Sequence, residues 1–147
     1  MAWSSNSAEP LPLASGVAEG VVRPPGSKSA TNRWINLAIL SRVPFRLRGA
    51  LLSDDTLLFL EASRRLGLSV SVTDAEVEMA PLEERIEGEL FCGNGGTMTR
   101  FLAATASVTP GRWTLDGVER LRQRPIGALV DALSRLGASI RYLGRPG

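Results

Sequence analysis

The 147-residue sequence contains no histidine and only one cysteine, Cys92. These absences exclude an internal disulfide, a histidine zinc site, and Ser-His or Cys-His catalysis within this chain. Its apolar runs fall well short of the roughly 18 residues that a membrane-spanning helix needs, and its start lacks a basic region followed by an apolar core. We therefore expect a cytoplasmic protein without a metal site and without a membrane partner.

Lysine is also scarce, because Lys28 stands alone beside 16 arginines. Acidic residues concentrate at positions 74–89, which hold seven acidic residues and one basic residue, and this acidic block is expected to form a solvated edge. The arginines are scattered among apolar residues without a series of aromatic side chains, which argues against a nucleic-acid partner. They suit a small phosphorylated or carboxylated ligand, since the guanidinium fork binds both groups bidentately.

The hydrophobic pattern predicts short strands alternating with helices. Residues 1–20, rich in serine, alanine and proline, are expected to form an N-terminal tail. Strands are predicted at 21–23, 45–49, 68–73, 76–79, 89–92, 113–116 and 139–143. Helices are predicted at 28–41, between caps at Ser53 and Gly67, at 97–108 and at 125–136. The first helix is expected to be buried on most faces through Trp34, Ile35, Leu37, Ala38 and Leu40.

The order of elements repeats at an offset of 70 residues. Residues 26–29 align with 96–99, and residues 60–70 align with 130–140. In the second pair the identical residues are Ala62/Ala132, Arg65/Arg135, Leu66/Leu136, Gly67/Gly137 and Ser69/Ser139. A duplicated βαβαββ unit accounts for this match, with units at 21–88 and 89–147. The predicted fold class is α/β (α+β), and the second unit is expected to be incomplete.

The first helix begins with residues that suit an anion. Gly26 and Ser27 precede a helix start, where free N–H groups and the positive end of the dipole favour negative charge. Ser29 and Arg33 are four residues apart and share one face beside Lys28. A capped helix with solvated cations is the alternative interpretation.

A glycine-rich loop at 92–100 occupies the equivalent place in the second unit. Three glycines in four positions let the backbone approach a ligand closely, and Thr97 is a candidate cap. A tight turn without a ligand is the alternative. The acidic pair Asp54 and Asp55 is interpreted as the first turn of a capped helix rather than as a catalytic pair.

A third stretch, 119–127, carries Arg120, Arg122 and Arg124. If this stretch is extended, the three side chains point to one side, and the proline after Arg124 keeps it out of helical geometry. Like charges on one side repel each other unless solvent or an anion lies between them. Solvated surface arginines are therefore the alternative to an anion site.

Four motifs together resemble the 5-enolpyruvylshikimate-3-phosphate synthase family, also called 3-phosphoshikimate 1-carboxyvinyltransferase. They are PGSKSATNR at 25–33, LSDDT at 52–56, GNGGTMTR at 93–100 and RPIGALVDAL at 124–133. The resemblance covers residues 21–147 and only the N-terminal part of the family's sequence. It implies an incomplete enolpyruvyl transferase lobe, one of two that close over phosphoenolpyruvate and shikimate 3-phosphate, with residues 1–20 running into the other lobe.

The resemblance also implies a reaction and a set of site residues. The reaction transfers the carboxyvinyl group of phosphoenolpyruvate to the shikimate 5-hydroxyl, releases phosphate, and uses no metal or organic cofactor. The residues implied for phosphoenolpyruvate are Lys28, Asn94, Gly96 and Arg124, and those for shikimate 3-phosphate are Lys28, Ser29 and Arg33. Lys28 is the implied catalytic residue, since it touches both substrates. Phe101 stands where many family members have proline.

Three alternatives follow from what the resemblance leaves out. The family's carboxylate base, its further serine and glutamine contacts and the second lobe's cationic residues would lie beyond Gly147, so this chain alone is expected to be inactive. A UDP-N-acetylglucosamine enolpyruvyl transferase is the nearest enzyme alternative, although it fits the Gly-Ser-Lys-Ser and Arg-Pro-Ile-Gly motifs less well. The others are a non-catalytic anion-binding fragment and a fragment completed by the C-terminal portion as a separate chain.

Overall fold

The computed structural model describes residue 16 and residues 19–84 and 86–144, so most of the expected tail at 1–20 lies outside the described residues. The helices are α1 (Lys28–Ser41), α2 (Asp54–Arg65), α3 (Gly96–Val108), α4 (Glu119–Arg122) and α5 (Gly127–Arg135). The strands are β1 (Phe45–Arg48), β2 (Leu68–Thr73), β3 (Glu76–Pro81), β4 (Glu87–Phe91) and β5 (Arg112–Asp116). This mixture confirms the predicted α/β (α+β) class. No helix in the described part of the chain is both long and apolar enough to cross a membrane.

The first sheet is antiparallel, with β3 lying between β1 and β2. A two-residue turn joins β2 to β3, and its first residue, Asp74, has a φ of 52°, in the left-handed region that such hairpin turns require. Val77 and Met79 are buried along β3, and they alternate with residues that are exposed or half-buried. The period-2 pattern thus turns one face of this sheet toward the core.

The acidic block at 74–89 contributes Glu76 and Glu78 to the centre of this sheet, so the expected edge position is wrong for both, although Glu78 is exposed to solvent as expected. Both lie on the central strand β3. Arg48 pairs with Glu76 at 3.1 Å, and Arg46 pairs with Glu76 at 3.5 Å and with Glu78. Cross-strand pairs of opposite charge explain why acidic side chains are tolerated on a central strand.

The second sheet consists of β4 and β5, which pair in parallel with Leu90 opposite Leu115. Parallel neighbours need a crossover connection, and α3 supplies it. The turn between β4 and α3 therefore lies at the carboxyl end of a parallel strand, where sheets of this kind commonly place ligand sites.

Helix α1 contacts α2 and α3, and the core forms between these helices and the two sheets. Its fully buried large side chains include Ile35, Phe59, Leu60, Leu66, Leu68, Val77, Leu90, Met98 and Leu102. A hydrogen bond of 2.7 Å from the Thr105 hydroxyl to the Asn36 amide oxygen also joins α3 to α1. Because α2 and α3 both pack against α1, the starts of these three helices are held in fixed relative positions.

Fewer faces of helix α1 are buried than the sequence predicts. Ile35 and Ala38 are buried, but Trp34, Leu37 and Leu40 are 47%, 50% and 46% exposed. The Trp34 ring stacks on Phe45 with ring centroids 6.1 Å apart. The described residues thus cover one face of α1, and an apolar sequence alone does not show which of its faces are covered.

Two predicted strands are absent from the described residues, at 21–23 and 139–143. A strand is stabilised by hydrogen bonds to a neighbouring strand, and none of the described strands pairs with either segment. Val21 and Val22 are 95% and 85% exposed. In the first unit β3 begins at Glu76. At the repeat offset of 70 residues, the strand equivalent to β3, which would pair with 139–143, would begin near position 146.

The chain before α1 packs closely against the loop between β1 and α2, and Gly26 permits this approach. An alanine Cβ at position 26 would overlap the Gly49 carbonyl oxygen and lie 2.9 Å from the Leu51 nitrogen. Both neighbours are backbone atoms, which cannot turn aside as a side chain can.

We expect Gly26→Ala to lower the free energy of unfolding by about 1–3 kcal/mol, the usual cost of overpacking. Gly20→Ala is the matched control, because an added Cβ there meets nothing within 4 Å. Urea unfolding of both variants measures the difference. Equal losses of stability at the two positions would contradict the close packing at Gly26.

Candidate anion-binding site

The start of α1 is a capped helix terminus that presents a cation. The Ser27 hydroxyl accepts a hydrogen bond of 3.3 Å from the Ala30 N–H. Next to it, the Lys28 ammonium donates to the Asp55 carboxylate at 3.0 Å, across 27 residues of sequence. Asp55 lies in the first turn of α2. The motifs at 25–33 and 52–56 thus meet in space through one ion pair.

The glycine turn at the start of α3 touches the same region. An added Cβ at Gly95 would lie 3.5 Å from the Asp55 Oδ1 atom. Helix α3 begins at Gly96, so the predicted cap at Thr97 is wrong, and Gly95 occupies the cap position without a side-chain bond. The Thr99 hydroxyl instead donates to the Gly95 carbonyl at 2.9 Å. The first N–H groups of α3 have no acceptor within the helix.

Arg124 lies directly over this turn. A Cβ at Gly96 would be 2.6 Å from the Arg124 Nη1 atom and 3.1 Å from the Arg100 Nη1 atom. Two guanidinium groups therefore approach a residue that has no side chain. Any larger residue here would displace one of the guanidinium groups from its position against α3.

Arg100 joins the glycine turn to the segment that carries Arg124. Its guanidinium donates to the Gly96 carbonyl at 2.9 Å and to the Pro125 carbonyl at 2.8 Å. One planar group thus fixes the spacing between α3 and the chain that enters α5. The charge-assisted bonds favour the position of Arg124 against Gly96.

The stretch at 119–127 is not extended, which corrects the prediction that its three arginines point to one side. Residues 119–122 form the short helix α4. Arg122 binds both oxygens of Asp116, at 2.9 and 2.7 Å, and Arg120 is exposed. Because Arg122 pairs with Asp116, its charge is balanced within the chain and needs no bound anion. Arg124 alone of the three meets the glycine turn.

Helix α5 begins at Gly127, two residues later than predicted.

The Asp116 carboxylate gives this region a dependence on pH. The Arg122 side chain, and after it the Gly117 N–H, hold the pKa of Asp116 below its ordinary value. Folding therefore gains stability from this carboxylate above the ordinary carboxyl pKa and loses the gain as pH falls through the lower pKa of the folded state.

We expect Asp116→Asn to destabilise the chain at neutral pH, and we expect its deficit to shrink below about pH 4 as the wild-type carboxylate takes up its proton. Urea unfolding of the wild type and the variant over a pH series measures this. A deficit that stays constant across the series would contradict the Asp116–Arg122 account.

The remaining predicted residues lie around the starts of α1 and α3. Ser29 is exposed, and its carbonyl accepts a hydrogen bond of 2.9 Å from Arg33. The Arg33 guanidinium carbon lies 5.8 Å from the centre of the Phe101 ring, a cation–π contact between α1 and α3. Asn94 is exposed, and its carbonyl accepts from the Gly96 N–H at 3.0 Å.

Two members of this cluster were not singled out as functional in the sequence. The sequence pattern indicates only a helix-capping role for Asp55, and it indicates no role for Arg100 within the motif at 93–100. The signal for Asp55 is the lone lysine among 16 arginines, a cation whose acidic partner could be sought among the first-turn acids of α2. No comparable signal marks Arg100, since its two carbonyl partners are set by the packing of α3 and α5.

Metal ligation and thiol chemistry find no support in the described residues. No group of three or more cysteine, aspartate or glutamate side chains there could hold a metal ion. Burial raises the pKa of the Cys92 thiol, which disfavours the thiolate and hence nucleophilic attack. What the cluster offers is positive charge and backbone N–H groups, an arrangement suited to binding an anion with phosphate or carboxylate groups.

Comparison with known proteins agrees with this chemistry. Residues 14–146 match the family model described as EPSP synthase (3-phosphoshikimate 1-carboxyvinyltransferase). The chain is 45% identical over 137 residues to the 3-phosphoshikimate 1-carboxyvinyltransferase of Bordetella parapertussis, a match that covers 89% of this chain. It is 46% identical over 124 residues to the enzyme of that name from Pseudomonas syringae pathovar tomato, covering 82% of this chain.

The fold is similar to that of solved structures. An EPSP synthase from Acinetobacter baumannii superposes with a TM-score of 0.74 at 27% identity, covering 84% of this chain and 29% of that one. Each of the two curated relatives is covered over 30% of its length. The chain thus spans about a third of the proteins it matches, and the site described above lies in that third.

Proposed function

Because this chain belongs to the EPSP synthase family, we propose that the full-length protein transfers the carboxyvinyl group of phosphoenolpyruvate to the 5-hydroxyl of shikimate 3-phosphate. The observation that carries the proposal is the Arg124 guanidinium lying against Gly96 at the start of α3. The Gly96 N–H itself donates to the Asn94 carbonyl, so the donors beside the Arg124 fork are the N–H groups that follow it in the first turn of α3. A planar fork of N–H donors beside such a helix start suits a small ligand with both carboxylate and phosphate groups.

Each site residue has a proposed role. Lys28, Asn94, Gly96 and Arg124 bind phosphoenolpyruvate, and Lys28, Ser29 and Arg33 bind shikimate 3-phosphate. Lys28 is the proposed catalytic residue. Its ammonium has three donors, of which one meets Asp55 in the structure, so two are left for the anionic groups of two substrates.

The proposed reaction balances without a cofactor. The 5-hydroxyl oxygen bonds to the enol carbon of phosphoenolpyruvate, the hydroxyl proton is released, and the adjacent methylene carbon takes up a proton. The tetrahedral intermediate then loses phosphate and returns a proton from the methyl carbon, which restores the double bond. Lys28 and Arg124 neutralise negative charge during these steps, a role that preorganised cations perform well in a site shielded from water.

We further propose that residues 21–88 and 89–147 are two βαβαββ units of one lobe. The orders α1, β1, α2 and α3, β5, α5 support this, and so do the residues that follow α2 and α5. Gly67 and Gly137 each follow the C-cap residue with a positive φ, at 87° and 98°, the conformation that favours glycine at a helix end.

Phosphate release by the full-length protein tests the proposed function. With phosphoenolpyruvate and shikimate 3-phosphate we expect one phosphate per carboxyvinyl group transferred, and with UDP-N-acetylglucosamine as the acceptor we expect none. Turnover with the nucleotide sugar alone would support the related transferase instead. Phosphoenolpyruvate binding without turnover on either acceptor would support a non-catalytic anion-binding protein.

We expect the 147-residue chain alone to be inactive, since it spans 30% of its curated relatives. A transition state with several developing charges needs donors from the rest of the protein. Activity should return when that remaining portion is supplied as a separate chain. The phosphate assay on the chain with and without this portion measures both outcomes, and turnover by the chain alone would contradict the expectation.

A further inference from the structure

The ion pair between Lys28 and Asp55 is placed where orientation matters more than stability. The Lys28 side chain is 51% exposed and that of Asp55 is 30% exposed. Exposed pairs of this kind contribute little to folding. The pair therefore has a small effect on the fold, while it sets the direction of the ammonium at the candidate site.

Of the two residues in the pair, Asp55 has the more restrained backbone. The N–H of Ser53 donates to the Thr56 hydroxyl at 2.7 Å, and that hydroxyl donates to the Leu51 carbonyl at 2.8 Å. The Leu51 N–H in turn donates to the Thr31 hydroxyl of α1 at 3.0 Å. These bonds tie the first turn of α2 to α1, so the base of the Asp55 side chain is held in place. Lys28 has a flexible four-carbon stem and no comparable restraint.

The other carboxylate oxygen of Asp55 faces the glycine turn, since a Cβ at Gly95 would lie 3.5 Å from Oδ1. The Asp55 carboxylate thus lies between the Lys28 ammonium and Gly95. A carboxylate so close to an anion site opposes anion binding by repulsion. Its presence there is explained if it orients Lys28 toward the glycine turn.

We propose that Asp55 is a positioning residue for the transfer reaction, holding the Lys28 ammonium at the glycine turn. This inference rests on the proposed function. Loss of the Asp55 carboxylate removes its repulsion of the anionic substrate and its restraint on the Lys28 ammonium. The two losses affect different kinetic constants. Binding of phosphoenolpyruvate is preserved or strengthened, whereas turnover falls because Lys28 is no longer held in one direction.

The kinetic experiment uses three variants of the full-length protein. Asp55→Asn should lower kcat by about 10- to 100-fold, and KM for phosphoenolpyruvate should not rise. Asp55→Glu keeps the charge on a longer stem and should recover part of the loss. Asp54→Asn is the matched control, since Asp54 lies in the same turn of α2 and has no ion pair within the described part of the chain; its kcat should match the wild type.

A second readout does not depend on activity. The rate at which an amine-directed reagent modifies Lys28, followed by mass spectrometry of its peptide without substrates, should rise in Asp55→Asn and stay unchanged in Asp54→Asn. An amine held in an ion pair reacts slowly, because the pair must open first. The thermal unfolding midpoint of Asp55→Asn should stay at the wild-type value, which excludes a merely structural role.

The outcomes separate this inference from the proposed function. An active wild type with an unchanged kcat in Asp55→Asn overturns the inference alone, and so does an unchanged modification rate at Lys28. A loss of kcat accompanied by a matching rise in KM and a lower unfolding midpoint also overturns it. A wild type that is inactive with both substrates overturns the proposed function, and with it any role of Asp55 in that reaction, even if the modification rate shows that the ion pair forms.

Discussion

Arginine in place of Lys28 is expected to lower kcat of the full-length protein on the order of 100-fold, although the charge is kept. The ammonium of lysine is a compact charge with three donors that can turn toward different partners, whereas the guanidinium is a broad plane with a fixed fork. Lys28 already meets Asp55 at 3.0 Å beside the glycine turn, and a guanidinium cannot keep that contact and reach two anionic substrates in the same way.

The fold should tolerate this change, because the Lys28 side chain is half-exposed at the start of a helix. Thermal unfolding of Lys28→Arg should therefore match the wild type, while phosphate release in the presence of both substrates falls. Near-normal turnover in Lys28→Arg would make Lys28 a solvated charge at a helix start, the alternative that its sequence context allows.

Alanine in place of Arg124 should weaken phosphoenolpyruvate binding by roughly 1.5–3 kcal/mol, or about 10- to 150-fold, the worth of a charge-assisted hydrogen bond. Shikimate 3-phosphate should bind nearly as before, since the residues proposed for it lie on α1. Titration of the full-length variant with each substrate in turn measures the two affinities.

Arg120→Ala is the matched control for Arg124→Ala, because Arg120 is an exposed arginine on the neighbouring α4. It should leave both affinities unchanged. Equal weakening of the two substrates by Arg124→Ala would count against its assignment to phosphoenolpyruvate. An effect of Arg120→Ala as large as that of Arg124→Ala would instead indicate a general electrostatic attraction.

Local signals predicted the four longer helices well, but not the short helix α4. Ser53 and Gly67 bracket α2 as expected, because a cap and a positive-φ glycine act on neighbouring backbone groups. The two-residue turn after β2 was also correct. The predicted strands at 21–23 and 139–143 failed because a strand depends on a partner elsewhere in the chain, which a local pattern does not reveal.

For the candidate site, the sequence proposed residues but not the contacts between them. The motifs pointed to Lys28, Gly96 and Arg124, and the structure brings Arg124 onto Gly96. The contact between Lys28 and Asp55 joins residues 27 positions apart, and the role of Arg122 depends on its pairing with Asp116. The first pair joins two helices and the second joins the end of β5 to α4, so both follow from how the elements are placed in space. The sequence showed which side chains carry charge but not which of them neutralise each other.

Protection of Lys28 from chemical modification tests the central claim most directly. The full-length protein is treated with an amine-directed reagent, and modification of the peptide that contains Lys28 is followed by mass spectrometry. We predict that shikimate 3-phosphate slows this modification and that phosphoenolpyruvate added with it slows it further, because we propose that Lys28 lies between the two substrates. A modification rate at Lys28 that is the same with both substrates as without them would contradict its placement in the site.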